Sequence, residues 1–202
     1  MIALLRSLTK VVFDQPALYE GLRTFFLGGL PYKPMFELLD ATDSDIILDV
    51  ACGTGHLAKQ IPFKRYIGFD HDAKCIEVAR NRKIPKAIFT QEDVSVYPFE
   101  EMQPTKAILS GVLHHLSDEE ARGLLKTLAR TVSRWIVTND PVYAKYHALN
   151  NLLCRLDRGK YVRTKEQMED LMNGAGLKPE TELIRYSNTL MTKHITFRLI
   201  PQ

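Results

Sequence analysis

Three cysteines, Cys52, Cys75 and Cys154, are too few and too far apart for a disulfide framework, and no CxxC or Cys/His pair has metal-ligand spacing. That usage implies a reducing, cytoplasmic setting. No apolar run reaches bilayer length. The opening stretch MIALLRSLTKVVFDQPALYEGLRTFFLGG is broken by Arg6, Lys10, Asp14 and Pro16 and lacks a small-residue cleavage site, so neither a signal peptide nor stable membrane insertion is expected. Charge of one sign is not massed either: 27 basic residues are scattered among 24 acidic ones, which leaves no basic stripe for nucleic acid. Repeats and low-complexity tracts are absent. The 202 residues, 45% hydrophobic and 25% charged, are ordinary material for one compact soluble domain.

Strand-like and helix-like segments alternate along most of that length. Helical patches fill roughly the first 30 residues, a short helix is predicted over 33–39, and the apolar run Ile46–Val50 reads as a strand buried on both faces. Short strands follow at 66–69, 87–89, 107–109 and 135–137. Ser117 with Glu120 and Thr164 with Gln167 are capping boxes that open helices. Asp140 with Pro141 reads as a further helix start, ahead of an apolar face of Leu149, Leu152, Leu153 and Leu156. Two long strands, 177–186 and 191–200, joined by an SNTL turn, close the chain as an antiparallel hairpin. The expected fold is α/β: a Rossmann-like, doubly wound, mostly parallel seven-stranded sheet. Residues 1–44 form a helical segment able to act as a lid, and 45–202 form the ligand-binding domain.

The stretch ILDVACGTGHLA, Ile47–Ala58, places an acid and two glycines where the first strand ends. A Walker A loop requires Gly-Lys-Ser/Thr, but Gly55 is followed by His56 and Leu57. A dinucleotide turn requires GxGxxG, and the frame Ala51, Gly53, His56 matches only at its centre. Asp49 would also repel a pyrophosphate a few ångströms away. A ligand with a cationic end suits Asp49 better.

ILDVACGTG resembles the first motif of the class I S-adenosylmethionine-dependent methyltransferases, with Ala51 standing where the family usually has glycine. YIGFD, TQEDVSVYPF and ILSGVLHHLSDEE resemble the later motifs in their order. The resemblance implies S-adenosylmethionine as cofactor, with S-adenosylhomocysteine as product. It places Asp49, Ala51, Cys52, Gly53 and Gly55 at the methionine end and Asp70 and His71 at the ribose. Asp93 and the Val94 amide go to the adenine, and Ser110 lies beside the methionine. The Lys-Pro-Gly-Gly turn that many members carry before the fifth strand is missing.

His114 and His115 sit at the mouth of this site, where a side chain titrating near neutrality can accept a proton from the methyl acceptor. Arg158, Tyr161 and Arg163 in LDRGKYVRT, together with Tyr143 and the N-terminal Tyr19, are candidate substrate-binding residues, the guanidinium groups suiting an anionic oxygen. The base-methylating Asn/Asp-Pro-Pro-Tyr/Phe motif is lacking after the fourth strand. The expected acceptor is therefore an oxygen, nitrogen or carbon atom of a small molecule, such as a lipid-like precursor or secondary metabolite. The chain would work as a monomer or homodimer. A cofactor-binding protein without methylating activity is the alternative reading.

Overall fold

The computed structural model describes residues 32–93, 99–156, 159–186 and 192–202. The helices expected in the first 30 residues, most of the 1–44 lid segment and the SNTL turn lie outside them.

Seven strands form one sheet in the order β3-β2-β1-β4-β5-β7-β6. They are β1 (Ile46–Val50), β2 (Arg65–Asp70), β3 (Ala87–Gln91), β4 (Lys106–Ser110), β5 (Trp135–Pro141), β6 (Leu177–Tyr186) and β7 (Lys193–Pro201). The first five are mutually parallel, and β7 runs antiparallel to both β5 and β6. Around them lie α1 (Tyr32–Leu39), α2 (Ala73–Asn81), α3 (Asp118–Thr131), α4 (Ala148–Leu156) and α5 (Lys165–Asn173).

Alternation along each strand divides the core in two. Ile47, Tyr66, Ile108 and Val137 face Met35, Leu38 and Leu39 of α1 and Ile76 and Ala79 of α2. Leu48, Ile67, Ala107 and Ile136 face the α3 stripe Ala121, Leu124, Leu125 and Leu128 and the α5 residues Met168, Leu171 and Met172. Both capping boxes form as the sequence predicts, Ser117 with Glu120 and Thr164 with Gln167. At the amino end of the sheet, buried Lys106 meets Asp45 at 2.8 Å. Burial alone would raise the Asp45 carboxyl, but hydrogen bonds from Lys106, Thr42 and Thr105 outweigh it and hold the pKa at about 2.

Two expectations change. Asp140 and Pro141 do not open a helix: β5 continues through them because β7 extends the ladder, pairing Asp140 with Ile195 and Pro141 with His194. The next helix begins only at Ala148. Its leucine stripe is not inward either, since Leu149 and Leu152 are 56% and 52% exposed. Asn150 fixes the helix the other way round, its amide donating to the Val142 carbonyl (2.9 Å) and accepting from the Lys193 N–H (2.7 Å).

The chain leaves β1 toward β2 on one side, while β4 pairs on the other. That reversal opens a crevice at the carboxyl ends of β1 and β4, the usual place for a ligand in such a sheet.

Candidate active site

The turn after β1 is built from left-handed residues. Ala51, Gly53 and Gly55 have φ of 55°, 54° and 69°, and the Cys52 N–H donating to the Phe69 carbonyl (2.7 Å) ties the turn to β2. Ala51 bears a Cβ in a conformation that costs an L-residue roughly 1–2 kcal/mol. Ala51→Gly is therefore expected to raise stability by about 1 kcal/mol, less the unfolded-state entropy that glycine adds, and urea denaturation measures it. The two glycines serve different ends. A Cβ on Gly55 would come within 2.7 Å of the Phe89 ring, whereas one on Gly53 would meet nothing within 4 Å. Gly55 permits close packing, and Gly53 lines open space where a ligand can approach backbone.

Asp49 lies beneath this turn at 1% exposure, accepting a hydrogen bond from the Tyr66 hydroxyl. Burial raises its pKa from 3.8 to about 7, the Tyr66 hydrogen bond opposes the rise, and the nearby Asp70 adds to it. A buried carboxyl so placed has no cation beside it among the described residues, and a ligand ammonium or sulfonium would supply one. Asp70 accepts from the Gly53 N–H (2.8 Å) and the Asp72 N–H (2.9 Å), so it holds the turn as well as the end of β2. His71 is mostly exposed, its Nδ1 3.4 Å from Asp70. Asp93 is exposed beyond β3, and Val94 lies outside the described residues. Cys52 is buried, and desolvation with the neighbouring carboxylates of Asp49 and Asp70 pushes its thiol up, away from nucleophilic use.

On the β4 side, the Ser110 hydroxyl oxygen is buried and has no hydrogen-bond partner. His114 follows in a short 3-10 turn, Leu113–His115. Its Nδ1 is 2.8 Å from the Asp140 carboxylate, which also accepts from the His114 backbone N–H (3.2 Å). Because a carboxylate can only accept, the contact places the ring proton on Nδ1 and leaves Nε2 as the basic nitrogen. Gly159 lies so close that a Cβ there would fall 2.0 Å from His114 Cδ2. His114 is 7% exposed, whereas His115 is exposed and packs its ring 4.1 Å from that of His114. Asp140 is the functional candidate that sequence reading misses. Asp-Pro signals a helix start, while the polar end of the apolar run WIVTND is the only sign of a strand reaching the site.

Tyr143 borders a cavity of about 560 Å³ shared with Lys145, Asn151, Thr164 and Lys193, and Tyr161 is 41% exposed. Tyr19 and Arg158 lie outside the described residues. The sequence assigns Arg163 to an anionic ligand; in the structure its guanidinium is 5% exposed and its donors go to protein acceptors. Nη2 and Nε meet Asp118 at 2.7 and 2.9 Å, while Leu113, Leu116 and Tyr161 supply carbonyls at 2.6, 2.8 and 3.1 Å. Arg163 thus clamps the segment after α4 onto the 3-10 turn bearing His114. Lysine cannot reproduce that fork, so Arg163→Lys should cost about 2–3 kcal/mol in a denaturation experiment, with cofactor affinity little changed.

Comparison with known proteins accords with this geometry. Residues 47–134 match the family model described as a methyltransferase domain. The matched segment runs from β1 through α3, a little under half of the chain. Solved structures that share the fold include a magnesium protoporphyrin IX methyltransferase with bound S-adenosylhomocysteine and a human N-acetylserotonin methyltransferase in complex with S-adenosylmethionine. Among its methyltransferase relatives, an uncharacterised methyltransferase of Bacillus velezensis is 22% identical over 142 residues, covering 68% of this chain and 67% of that protein. A 37.1 kDa protein encoded in a Streptomyces fradiae transposon is 33% identical over 139 residues, covering 63% of this chain and 40% of that one. The second match spans well under two thirds of its relative's length. The solved structure of an S-adenosylmethionine-dependent methyltransferase from Methanosarcina mazei superposes with a TM-score of 0.66 at 16% identity, covering 85% of this chain and 98% of that one. The likeness is one of overall fold.

Proposed function

We propose that the chain is an enzyme that moves a methyl group from S-adenosylmethionine to an oxygen, nitrogen or carbon atom of a small molecule. The observation that carries this reading is the buried Asp49 carboxyl, raised to about 7, under a turn whose Gly53 opens onto free space. A cationic, phosphate-free end fits there, and a pyrophosphate does not. When bound, the cofactor supplies a methyl group on a positively charged sulfur, a good leaving group.

The protein's own residues then bind, align and deprotonate. Asp49, the Gly53 turn and Ser110 hold the methionine end. Asp70, with His71 beside it, serves the ribose, and Asp93 with Val94 the adenine. His114, fixed in one tautomer by Asp140, takes the acceptor's proton at Nε2, with His115 packed against its ring. Tyr143 and Tyr161 border the acceptor's approach, and Tyr19 and Arg158 are assigned to it from sequence. A lipid-like or secondary metabolite in the cytoplasm is the acceptor class, with the enzyme monomeric or homodimeric. Among the described residues, no helix is long and apolar enough to cross a membrane.

A thermal-shift assay tests the reading. S-adenosylhomocysteine at about 100 times its dissociation constant should stabilise the protein by roughly 2.7 kcal/mol, and NAD should not. A shift with NAD alone would reject it. A methyl-transfer screen over hydroxylated and amino metabolites then seeks the acceptor.

A further inference from the structure

Three side chains stand in a row on one face of the sheet, at its carboxyl end. Ser110 of β4 is in register with Asn139 of β5, and Asn139 with Thr196 of β7. Asp49 pairs with Ile108, two residues before Ser110, so the row lies on the Asp49 face, one step nearer the strand ends. Asn139 and Thr196 are 0% and 1% exposed. Thr196 Oγ1 donates to Asn139 Oδ1 at 3.2 Å. Asn139 Nδ2 and Ser110 Oγ, both buried, have no hydrogen-bond partner. If the amide were turned over, Thr196 would still engage one of its two polar atoms and leave the other unmet.

An unmet buried polar group is costly, and two on adjacent strands are hard to justify by folding alone. A ligand atom between them removes both costs. Resting on the methyltransferase reading above, we propose that Asn139, with Ser110 and Thr196, is the site that recognises the methyl acceptor, through a neutral carbonyl or hydroxyl oxygen. Ser110 borders the turn through the β1–β4 pairing, while Asn139 and Thr196 lie farther from it, on the acceptor side. With the Asn139 carbonyl oxygen taken up by Thr196, both unmet groups can donate, so the ligand atom accepts. The Asp49 and Asp70 carboxyl groups on the same face weigh against a carboxylate ligand.

The test is saturation-transfer NMR with S-adenosylhomocysteine present, using catechol and acetophenone as neutral oxygen probes and benzoate and phenylethylamine as charged ones. Asn139→Leu combined with Thr196→Val removes the amide and its partner together, and Asn139→Leu alone serves as a milder second variant. Expected are binding of a neutral probe to wild type, weakening of about tenfold or more in the double variant, and S-adenosylhomocysteine affinity within about twofold of wild type. The melting temperature of the free double variant should be unchanged or higher, because an unmet polar group has gone. The proposal is overturned if no neutral probe binds, if the charged probes bind better, or if the variant binds neutral probes as wild type does. A tenfold loss of S-adenosylhomocysteine affinity would assign the amide to the cofactor, and a fall in melting temperature beyond about 5 °C would make it structural; either result overturns the proposal. Failure of the methyltransferase reading itself appears separately, as absence of S-adenosylhomocysteine binding to wild type.

Discussion

Asp49→Asn should weaken S-adenosylhomocysteine binding about 100-fold at pH 8, equivalent to about 2.7 kcal/mol, while making the free protein more stable. The two effects share one cause. With a pKa near 7 in the free fold against the ordinary 3.8, the Asp49 carboxyl is carried as a buried charge above neutrality. The folded state then holds a proton that the unfolded chain has lost between about pH 4 and 7. The stability contributed by the neutral carboxyl is full below 3.8 and drains away by about 1.4 kcal/mol per pH unit until about pH 7. Asparagine keeps an oxygen to accept from Tyr66 and removes the charge, so the variant should match wild type near pH 4 and exceed it above pH 7. Thermal melts across that range read this directly. A ligand ammonium reverses the balance by giving the charge a partner, and the substitution removes that partner. Affinity in wild type should therefore climb with pH up to about 7 and level off above it, and the variant should lack that slope.

His114→Ala should lower methyl transfer about 100-fold or more, the range general-base catalysis supplies, and leave S-adenosylhomocysteine affinity within about twofold. Asp140→Asn makes the sharper experiment. An asparagine oriented with its NH₂ toward Nδ1 would favour the other tautomer and turn the proton onto Nε2, so turnover falls although the ring stays in place. A purely structural His114 would instead show loss of stability with turnover per folded molecule unchanged. Single-turnover kinetics with the screened acceptor, set beside melting temperatures, separates the two.

The five parallel strands were legible from sequence because each is a short run bounded by polar or turn residues, and β1 was bounded to the residue. The helix caps at Ser117 and Thr164 were equally plain, since a capping box is a local device. Misreadings arose where distant partners decided. Asp140–Pro141 is a good local helix start, overridden by β7, which arrives more than 50 residues later to extend β5. The leucines of α4 look like a core stripe until Asn150 is seen to bond the sheet end. Within the site, the glycine turn and its acids were readable because the motif is contiguous. Tyr66 under Asp49, Asp140 beside His114 and the Leu113 and Leu116 carbonyls around Arg163 were not, because those pairs join residues separated by between 17 and 50 positions.

The most direct test is isothermal titration calorimetry of S-adenosylhomocysteine at pH 6, in two buffers of different ionisation enthalpy, with wild type and Asp49→Asn. Release of about one proton per ligand bound by wild type, and none by the variant, is the expected result, because binding a cation forces the Asp49 carboxyl to ionise. Binding without proton release, or equal release from both proteins, would contradict the assignment of Asp49 to the cationic end of the cofactor.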